Sequence, residues 1–254
     1  MSLFSDVDGS GQVDTLLQYL DDTDRFMVAF KAYVVAAAGR YEPGGRVLDL
    51  GCGVGHDLAR LRAAGLTAVG LDPSAHALAR ADGPVVRGDG ARLPFLEGAF
   101  DGCRIERVLQ HVQDPGAVLD EVIRVVKPGG FLAVLEPDHT SLRVECADPC
   151  VLARSVTARH ASIGAELADL LRERGCLIDD LVTETSFGYA LDRIPVNAAA
   201  ALERAGLSAD ERAAWLAEQQ QRTEAGTFAA TWTKHLVVAR APGRHPGLGG
   251  RAAR

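Results

Sequence analysis

The chain has 254 residues, of which 47% are hydrophobic, and a formal net charge of −7 at pH 7. This length suits a single α/β domain with insertions, and the acidic balance argues against nucleic-acid binding, because affinity for phosphates depends on Lys and Arg. The first residues lack a signal-peptide core, no apolar run could span a bilayer, and five thinly spread cysteines do not form a disulfide pattern, so we expect a cytoplasmic protein with no membrane contact.

Apolar spacing predicts two helices between Gly11 and Gly39, broken near Asp21–Asp24. Five short β-rich runs follow, at Arg46–Leu50, Thr67–Leu71, Val85–Arg87, Ala99–Ile105 and Phe131–Glu136. Three helices are predicted between them, at Asp57–Ala64, Ser74–Ala81 and Pro115–Val126. Strands that alternate with helices indicate a parallel, doubly wound sheet.

The C-terminal part of the chain mixes helical and strand patterns. The predicted segments are a helical stretch at Asp148–Arg159, a helix at Ala161–Arg174, a strand at Leu177–Phe187, two helices within Val196–Ala225 and a strand at Phe228–Arg240. The tail that follows is rich in Gly, Pro and Arg, has little to bury, and is expected to be disordered.

Residues 46–57 carry the strongest functional signal. An apolar strand containing Asp49 runs into Gly51, Gly53 and Gly55, and a helix follows. Glycines let the backbone turn sharply and let a ligand approach the main chain. A dinucleotide fingerprint needs Gly-x-Gly-x-x-Gly, but position 56 is His, which disfavours a nicotinamide dehydrogenase.

The same stretch resembles the first motif of class I S-adenosylmethionine-dependent methyltransferases. The resemblance implies that the loop wraps the methionine part of the cofactor, with contacts from Gly51, Cys52 and Gly53. It also implies that Asp49 acts on the cofactor's ammonium, directly or through water, as a charge-assisted pair. The alternative is a tight turn without a ligand.

Two later turns extend the resemblance. Asp72, which ends the second predicted strand 21 residues after Gly51 and precedes Pro73, is implied to bind the ribose hydroxyls; the alternative is a helix cap. The turn at Asp89, Gly90 and Ala91 is implied to meet the adenine amino group and ring, and the alternative is an ordinary polar turn.

The fourth signal spans 100–130 and is similar to the family's fourth strand, its following helix and the turn into the fifth strand. Glu106 and Arg107 are implied to lie beside the cofactor's amino-acid end, with His111 on the cofactor-adjacent face. An aromatic residue of the N-terminal helix closes over the cofactor in relatives, which points to Tyr19, although a packed helix residue is an equal alternative.

The resemblance covers residues 46–136 tightly and implies a Rossmann-like, mostly parallel seven-stranded sheet, with the last strand antiparallel and a helical cap. We divide the chain into five parts on this basis. They are a helical lid at 1–40, the cofactor-binding core at 41–138, cap helices with a core helix and the sixth strand at 139–226, the last strand at 227–241 and a disordered tail at 242–254.

The loop after the fifth predicted strand, Glu136–His139, lies where open α/β sheets bind ligands. His139 or His111 would serve as a base for a hydroxyl or carbon acid; the alternative is a plain polar loop. Cys146 and Cys150 lie one helical turn apart but lack partners at metal-ligand spacing, so no metal site is predicted.

We therefore predict transfer of a methyl group from S-adenosylmethionine to an oxygen, nitrogen or carbon atom of a small molecule, in a natural-product tailoring step. Alternatives on the same fold are an RNA or protein methyltransferase and a cofactor-binding cyclase. The acceptor and the oligomeric state stay open.

Overall fold

A computed structural model of the chain describes residues 6–26, 28–41, 44–145, 159–189 and 198–243. The strands are β1 (Arg46–Leu50), β2 (Thr67–Asp72), β3 (Val85–Arg87), β4 (Phe100–Glu106), β5 (Val126–Val144), β6 (Leu177–Gly188) and β7 (Ala230–Arg240). The helices are α1 (Val13–Phe26), α2 (Val28–Tyr41), α3 (His56–Ala63), α4 (Ala75–Leu78), α5 (Pro115–Val125), α6 (Ile163–Glu173), α7 (Ala198–Arg204) and α8 (Ala209–Glu224). None of the helices in these ranges combines the length and apolar character that a membrane span requires.

The seven strands form one sheet in the order β3-β2-β1-β4-β5-β7-β6. Strands β1 to β5 pair in parallel, and β7 runs antiparallel between β5 and β6. The predicted seven-stranded, mostly parallel sheet with an antiparallel last strand is therefore confirmed. The strand order reverses between β1 and β4, and a crevice opens at such a switch point beyond the carboxyl ends of the strands.

Helices cover both faces of the sheet. On one face, α5 buries Val118, Leu119 and Val122, which recur at helical spacing, and α6 packs beside it. On the other face, Leu58 and Leu61 of α3 pack with α2 against the sheet. Each fully buried leucine contributes about 1.5–3 kcal/mol, so this three-layer core fixes the strand ends that carry the site.

Strand β5 is longer than the sequence predicted, because it runs to Val144 instead of ending at Glu136. Its extension buries Leu142 and Val144 in a second apolar cluster with α7, Phe228 and the start of β7. That burial against the cap explains why the strand continues. The helical stretch predicted at 148–159 lies almost wholly outside the described residues, as does the tail from 244 onwards.

Two helix predictions also need correction. The first two helices separate after Phe26, and not at Asp21–Asp24; Asp21 lies within an unbroken α1 and bonds His56 and Arg80. Helix α4 ends at Leu78, since the amides of Arg80 and Ala81 bond three residues back and tighten the turn. The predicted cap at Ser74 is confirmed, with its Oγ accepting from Ala77 N at 3.0 Å.

Candidate functional site

The turn after β1 adopts a backbone that favours glycine. Gly51, Gly53 and Gly55 have φ values of 72°, 51° and 84°, a region that other residues rarely enter. Gly51 N donates to Leu71 O at 2.7 Å, which ties the turn to β2. A Cβ on Gly51 would lie 2.2 Å from Cγ2 of Val108, so the loop after β4 packs directly on this turn.

Asp72 joins the end of β2 to the same turn. Its Oδ2 accepts from Gly53 N and its Oδ1 from Ser74 N, both at 2.9 Å. Burial raises the pKa of this carboxyl. Each oxygen retains further acceptor capacity, so Asp72 is positioned at the crevice with room for additional donors.

The turn at Asp89–Ala91 follows β3 at the same edge of the sheet. Asp89 Oδ1 accepts from Ala91 N at 2.9 Å, which closes the turn locally. A Cβ on Gly90 would lie 3.5 Å from Leu50 at the end of β1. The three predicted cofactor turns are thus brought together beyond the ends of β1, β2 and β3.

A buried ion cluster lies beneath the crevice. Its inner members are Lys31 of α2, Asp49 of β1, Asp57 of α3, and Arg104 and Glu106 of β4. At its edge, Arg60 lies 3.1 Å from Asp57 and Arg107 lies 3.9 Å from Glu106. The Arg104 guanidinium donates to Asp49 Oδ1 and to Asp57 Oδ2, each at 2.6 Å, and also to Glu106 Oε2. Lys31 donates to Asp57 and lies 3.3 Å from Glu106.

The three carboxylates face Lys31 and Arg104 inside the cluster and Arg60 and Arg107 at its edge, so cations balance their charges. Asp49 is fully buried, and its Oδ2 has no hydrogen-bond partner. Burial raises the pKa of Asp49, and the Asp57 charge adds to this effect, although Arg104 opposes both. A donor that reached Oδ2 would supply its missing partner, because buried polar atoms need hydrogen bonds.

The sequence analysis missed Lys31, Asp57 and Arg104. One signal was available, since Arg104 is a charged residue in the middle of an apolar strand, where burial is costly without a partner. Its partners are 47 and 55 residues away in sequence, so only the fold reveals them.

Glu136 holds the loop after β4. This fully buried carboxylate accepts from Val108 N and Leu109 N, both at 2.7 Å, through one oxygen. Its other oxygen, Oε2, has no partner, and burial raises its pKa to about 8. The adjacent Arg107 has a φ of 56°, unusual for a residue with a side chain, and its N donates to Leu135 O.

His139 and His111 both lie at this loop. His139 Nε2 is 2.5 Å from Gln110 Oε1, both side chains are buried, and His139 Nδ1 has no partner. Burial lowers the pKa of His139 to about 4. Burial, with positive charge from Arg107, lowers the pKa of His111 to about 3. Both imidazoles are therefore neutral at pH 7.

Helix α1 lies over the glycine turn. Leu20 Cδ1 would be 3.2 Å from a Cβ on Gly53, and Leu17 packs against Val54. Asp21 bonds His56 at 2.8 Å and Arg80 at 2.6 Å. The predicted cofactor contact Tyr19 belongs to this helix, but its side chain lies outside the described residues.

The N-terminal segment before α1 reaches the same crevice. Asp8 accepts from Ser74 Oγ at 2.5 Å and from Ala75 N at 2.8 Å, directly after Asp72. Of the remaining predicted contacts, Pro73 is exposed, while the thiol of Cys52 is buried, which raises its pKa. Sγ of Cys52 would be 2.6 Å from a Cβ on Gly70, so Cys52 offers the crevice its backbone only.

Comparison with known proteins matches residues 48–134 to the methyltransferase domain family. An uncharacterized 37.1 kDa transposon protein of Streptomyces fradiae is 36% identical over 222 residues, covering 78% of this chain and 63% of that protein. A demethylmenaquinone methyltransferase of Corynebacterium kroppenstedtii is 42% identical over 98 residues, covering 37% of this chain and 43% of the relative. The chain thus spans between about two fifths and two thirds of these relatives' length.

Solved structures share the fold. An S-adenosylmethionine-dependent methyltransferase from Aquifex aeolicus has a TM-score of 0.56 at 16% identity, covering 89% of this chain and 97% of that one. Phosphoethanolamine N-methyltransferase 2 from Haemonchus contortus, in complex with S-adenosylmethionine, has a TM-score of 0.56 at 17% identity, covering 95% of this chain and 60% of that one. The matched domain spans β1 to β5, which carry the crevice. Residues 48–134 of this chain thus match the methyltransferase domain family, and the chain shares its fold with solved S-adenosylmethionine-dependent methyltransferases.

Proposed function

We propose that this chain transfers a methyl group from S-adenosylmethionine to an oxygen, nitrogen or carbon atom of a small-molecule acceptor, as a tailoring step on a natural product. The observation that carries the proposal is the unpartnered, fully buried Oδ2 of Asp49 at the end of β1, beside the glycine turn. The cofactor brings an ammonium, a donor that such a carboxylate oxygen would attract.

The residues of the crevice fit the cofactor. Asp49 would take the ammonium, Asp72 the ribose hydroxyls and the turn at Asp89–Ala91 the adenine. The backbone of Gly51–Gly53 would cradle the methionine portion, since a Cβ in this turn would collide with its neighbours. Glu106 and Arg107 would flank the amino-acid end. Arg107 suits a carboxylate, because a guanidinium binds carboxylates with two parallel hydrogen bonds.

When bound, the cofactor supplies a methyl carbon already activated by the positive charge on sulfur. The chain's own residues must then align the acceptor, and alignment supplies about 7–11 kcal/mol of barrier lowering. Helix α1 lies over the turn and would exclude water from the crevice. His139 or His111 would accept a proton from the acceptor, because both imidazoles are neutral at pH 7.

Three observations favour a small acceptor over RNA or protein. The formal charge of −7 disfavours binding to a polyanion. A partial relative bears the name demethylmenaquinone methyltransferase, which makes quinols reasonable first acceptors to test. Extension of β5 into an apolar cap cluster with Trp215 and Trp232 is consistent with a pocket for such a molecule.

Isothermal titration calorimetry with S-adenosylhomocysteine tests the cofactor assignment. We expect Asp72→Ala to weaken binding about 10- to 100-fold, because hydrogen bonds to a charged group contribute roughly 1.5–3 kcal/mol. The control is Asp82→Ala, an exposed acid ten residues further on, which should bind like the wild type.

Far-UV circular dichroism of Asp72→Ala separates lost binding from lost folding, since this carboxylate also bonds Gly53 N. If Asp72→Ala and Asp82→Ala bound S-adenosylhomocysteine with equal affinity, Asp72 would not bind the ribose. Wild-type protein that bound a nicotinamide nucleotide and not S-adenosylhomocysteine would refute the proposed function altogether.

A further inference from the structure

The contact between His139 and Gln110 bears on which ring nitrogen of His139 carries the proton. Nε2 of His139 faces Gln110 Oε1 at 2.5 Å, and an amide oxygen can only accept a hydrogen bond. An imidazole that donates to this oxygen carries its proton on Nε2, which leaves the lone pair on Nδ1. That Nδ1 is buried and has no partner.

Both members of this pair are anchored through β5. Gln110 follows Val108 and Leu109, whose amides Glu136 binds, and Glu136 lies three residues before His139 on the same strand. The amide of His139 donates to Ala161 O at 2.8 Å, just before α6. Gln110 is 4% exposed and His139 5% exposed, so neither ring nor amide can turn freely.

An unpartnered nitrogen in this setting is costly. A buried polar atom without a hydrogen bond costs about 1–3 kcal/mol, which a ligand that supplies the missing donor would remove. The charged and titratable groups that act on His139 are Arg107 and His111 after β4 and Asp138 on β5. Close by in chain or register are Glu136 on β5, Lys234 opposite Pro137 on β7, and His160 before Ala161. Gln110 itself is neutral, so it orients the ring without attracting a second proton to it.

We propose that Gln110 is a positioning residue that holds the His139 proton on Nε2, so that Nδ1 receives the proton of a hydroxyl-bearing acceptor, a phenol or an enol. This inference rests on the proposed methyl transfer. The acceptor's O–H bond breaks and its proton goes to Nδ1, while the oxygen forms a bond to the methyl carbon. The carbon–sulfur bond breaks, and its electron pair stays on the neutral thioether sulfur.

The hydroxyl class follows from the lone pair. Nδ1 can only accept, so it recognises an acceptor whose attacking atom carries a proton that must leave. A tertiary amine has no such proton and would gain nothing from this nitrogen. After transfer, His139 carries protons on both nitrogens and keeps its bond to Gln110 through Nε2. The Nδ1 proton leaves once the methylated product has departed and water can reach the ring.

Nitrogen-15 NMR of histidine-labelled protein tests the tautomer without any acceptor. His139 resonances are identified by their loss in His139→Asn. We expect a single wild-type tautomer with a proton on Nε2, and a mixture of tautomers in Gln110→Leu. The matched control is Gln113→Leu, an exposed glutamine on the same segment, which should match the wild type. A wild-type Nδ1 that carries the proton would overturn the proposal.

The substitution Gln110→Glu gives a second readout. A carboxylate beside Nε2 should stabilise the doubly protonated ring and raise the pKa of His139. An NMR titration from roughly pH 4 to roughly pH 8 measures that change. Phenol and its methyl ether anisole then probe the acceptor class with S-adenosylhomocysteine present. We expect phenol to shift the Nδ1 resonance and anisole to leave it unchanged.

These outcomes separate the inference from the proposed function. Calorimetry should give unchanged affinity for S-adenosylhomocysteine in the Gln110 variants. If that affinity is intact but phenol and anisole act alike, or neither shifts Nδ1, then the hydroxyl-acceptor inference fails on its own. If the wild type does not bind S-adenosylhomocysteine, the proposed methyl transfer fails instead.

Discussion

The buried acids of this site differ in pKa, and Glu136 and Asp57 show the reason. Glu136 is fully buried, accepts two backbone hydrogen bonds through Oε1 and leaves Oε2 without a partner. Burial raises its pKa to about 8. Asp57 is also buried, but Arg104 and Lys31 overcome that burial and lower its pKa. Burial therefore favours the neutral carboxyl of Glu136, whereas the two cations beside Asp57 favour its ionised form.

The raised pKa of Glu136 predicts a pH-dependent stability. A group whose folded pKa exceeds its unfolded value stabilises the fold below the unfolded pKa, near 4.5, and loses that contribution as pH rises to about 8. Glu136→Gln stays neutral and keeps an oxygen for Val108 and Leu109. We expect this variant to gain roughly 2–4 kcal/mol over the wild type between pH 5 and pH 8.

Urea unfolding at three pH values measures this difference. The control is Glu97→Gln, an exposed acid on the surface, for which the difference from the wild type should not change with pH. If Glu136→Gln also gave a constant difference, the carboxyl of Glu136 would be ionised throughout that range.

At the scale of elements, helix α1 is joined to the glycine turn and to the helices beside it. Helix α1 is held over the glycine turn by an apolar contact through Leu17 and by the two partners of Asp21. His56 begins α3 and Arg80 follows α4, so one carboxylate ties three elements together. Burial disfavours the charge on Asp21, but Arg80 and His56 outweigh it and lower its pKa.

Loss of that carboxylate should loosen α1 locally. Partly exposed ion pairs contribute about 0.2–1 kcal/mol each, so Asp21→Ala should raise the open population of the helix roughly 2- to 30-fold. Hydrogen exchange at the amides of Leu16 and Leu17 measures that opening. Asp14→Ala, an exposed acid in the first turn of α1, is the control. Equal exchange rates in both variants would mean that apolar packing alone holds the lid.

At the scale of the molecule, features that depend on local sequence were predictable, and features that depend on long-range packing were not. The order of strands and glycine turns was predictable because left-handed turns such as Gly51 and Gly53 need glycine, and their spacing is local in sequence. The ion cluster was not predictable, since Lys31 and Arg104 meet only after α2 and β4 pack. The length of β5 depended likewise on Leu142 finding a cap to pack against.

The ion cluster couples overall stability to cofactor binding. Burial raises the pKa of Asp49 to about 6, so its ionised form destabilises the ligand-free fold, and its Oδ2 is buried without a partner. Asp49→Asn has nearly the same shape, retains an oxygen for Arg104 and removes the buried charge. We expect the ligand-free variant to be more stable by about 1–2 kcal/mol, which raises Tm by about 2–8 °C in a chain of this size.

The same substitution should weaken binding of S-adenosylhomocysteine by about tenfold or more, because the ammonium loses a charged partner. Differential scanning fluorimetry and calorimetry measure the two effects. Asp101→Asn is the matched control, since Asp101 bonds Arg46 N and Lys127 at the opposite end of the sheet. Its loss should lower Tm and leave affinity unchanged. If Asp49→Asn lowered both Tm and affinity, Asp49 would be a structural partner of Arg104. A carboxylate whose missing partner is the cofactor should instead destabilise the ligand-free protein.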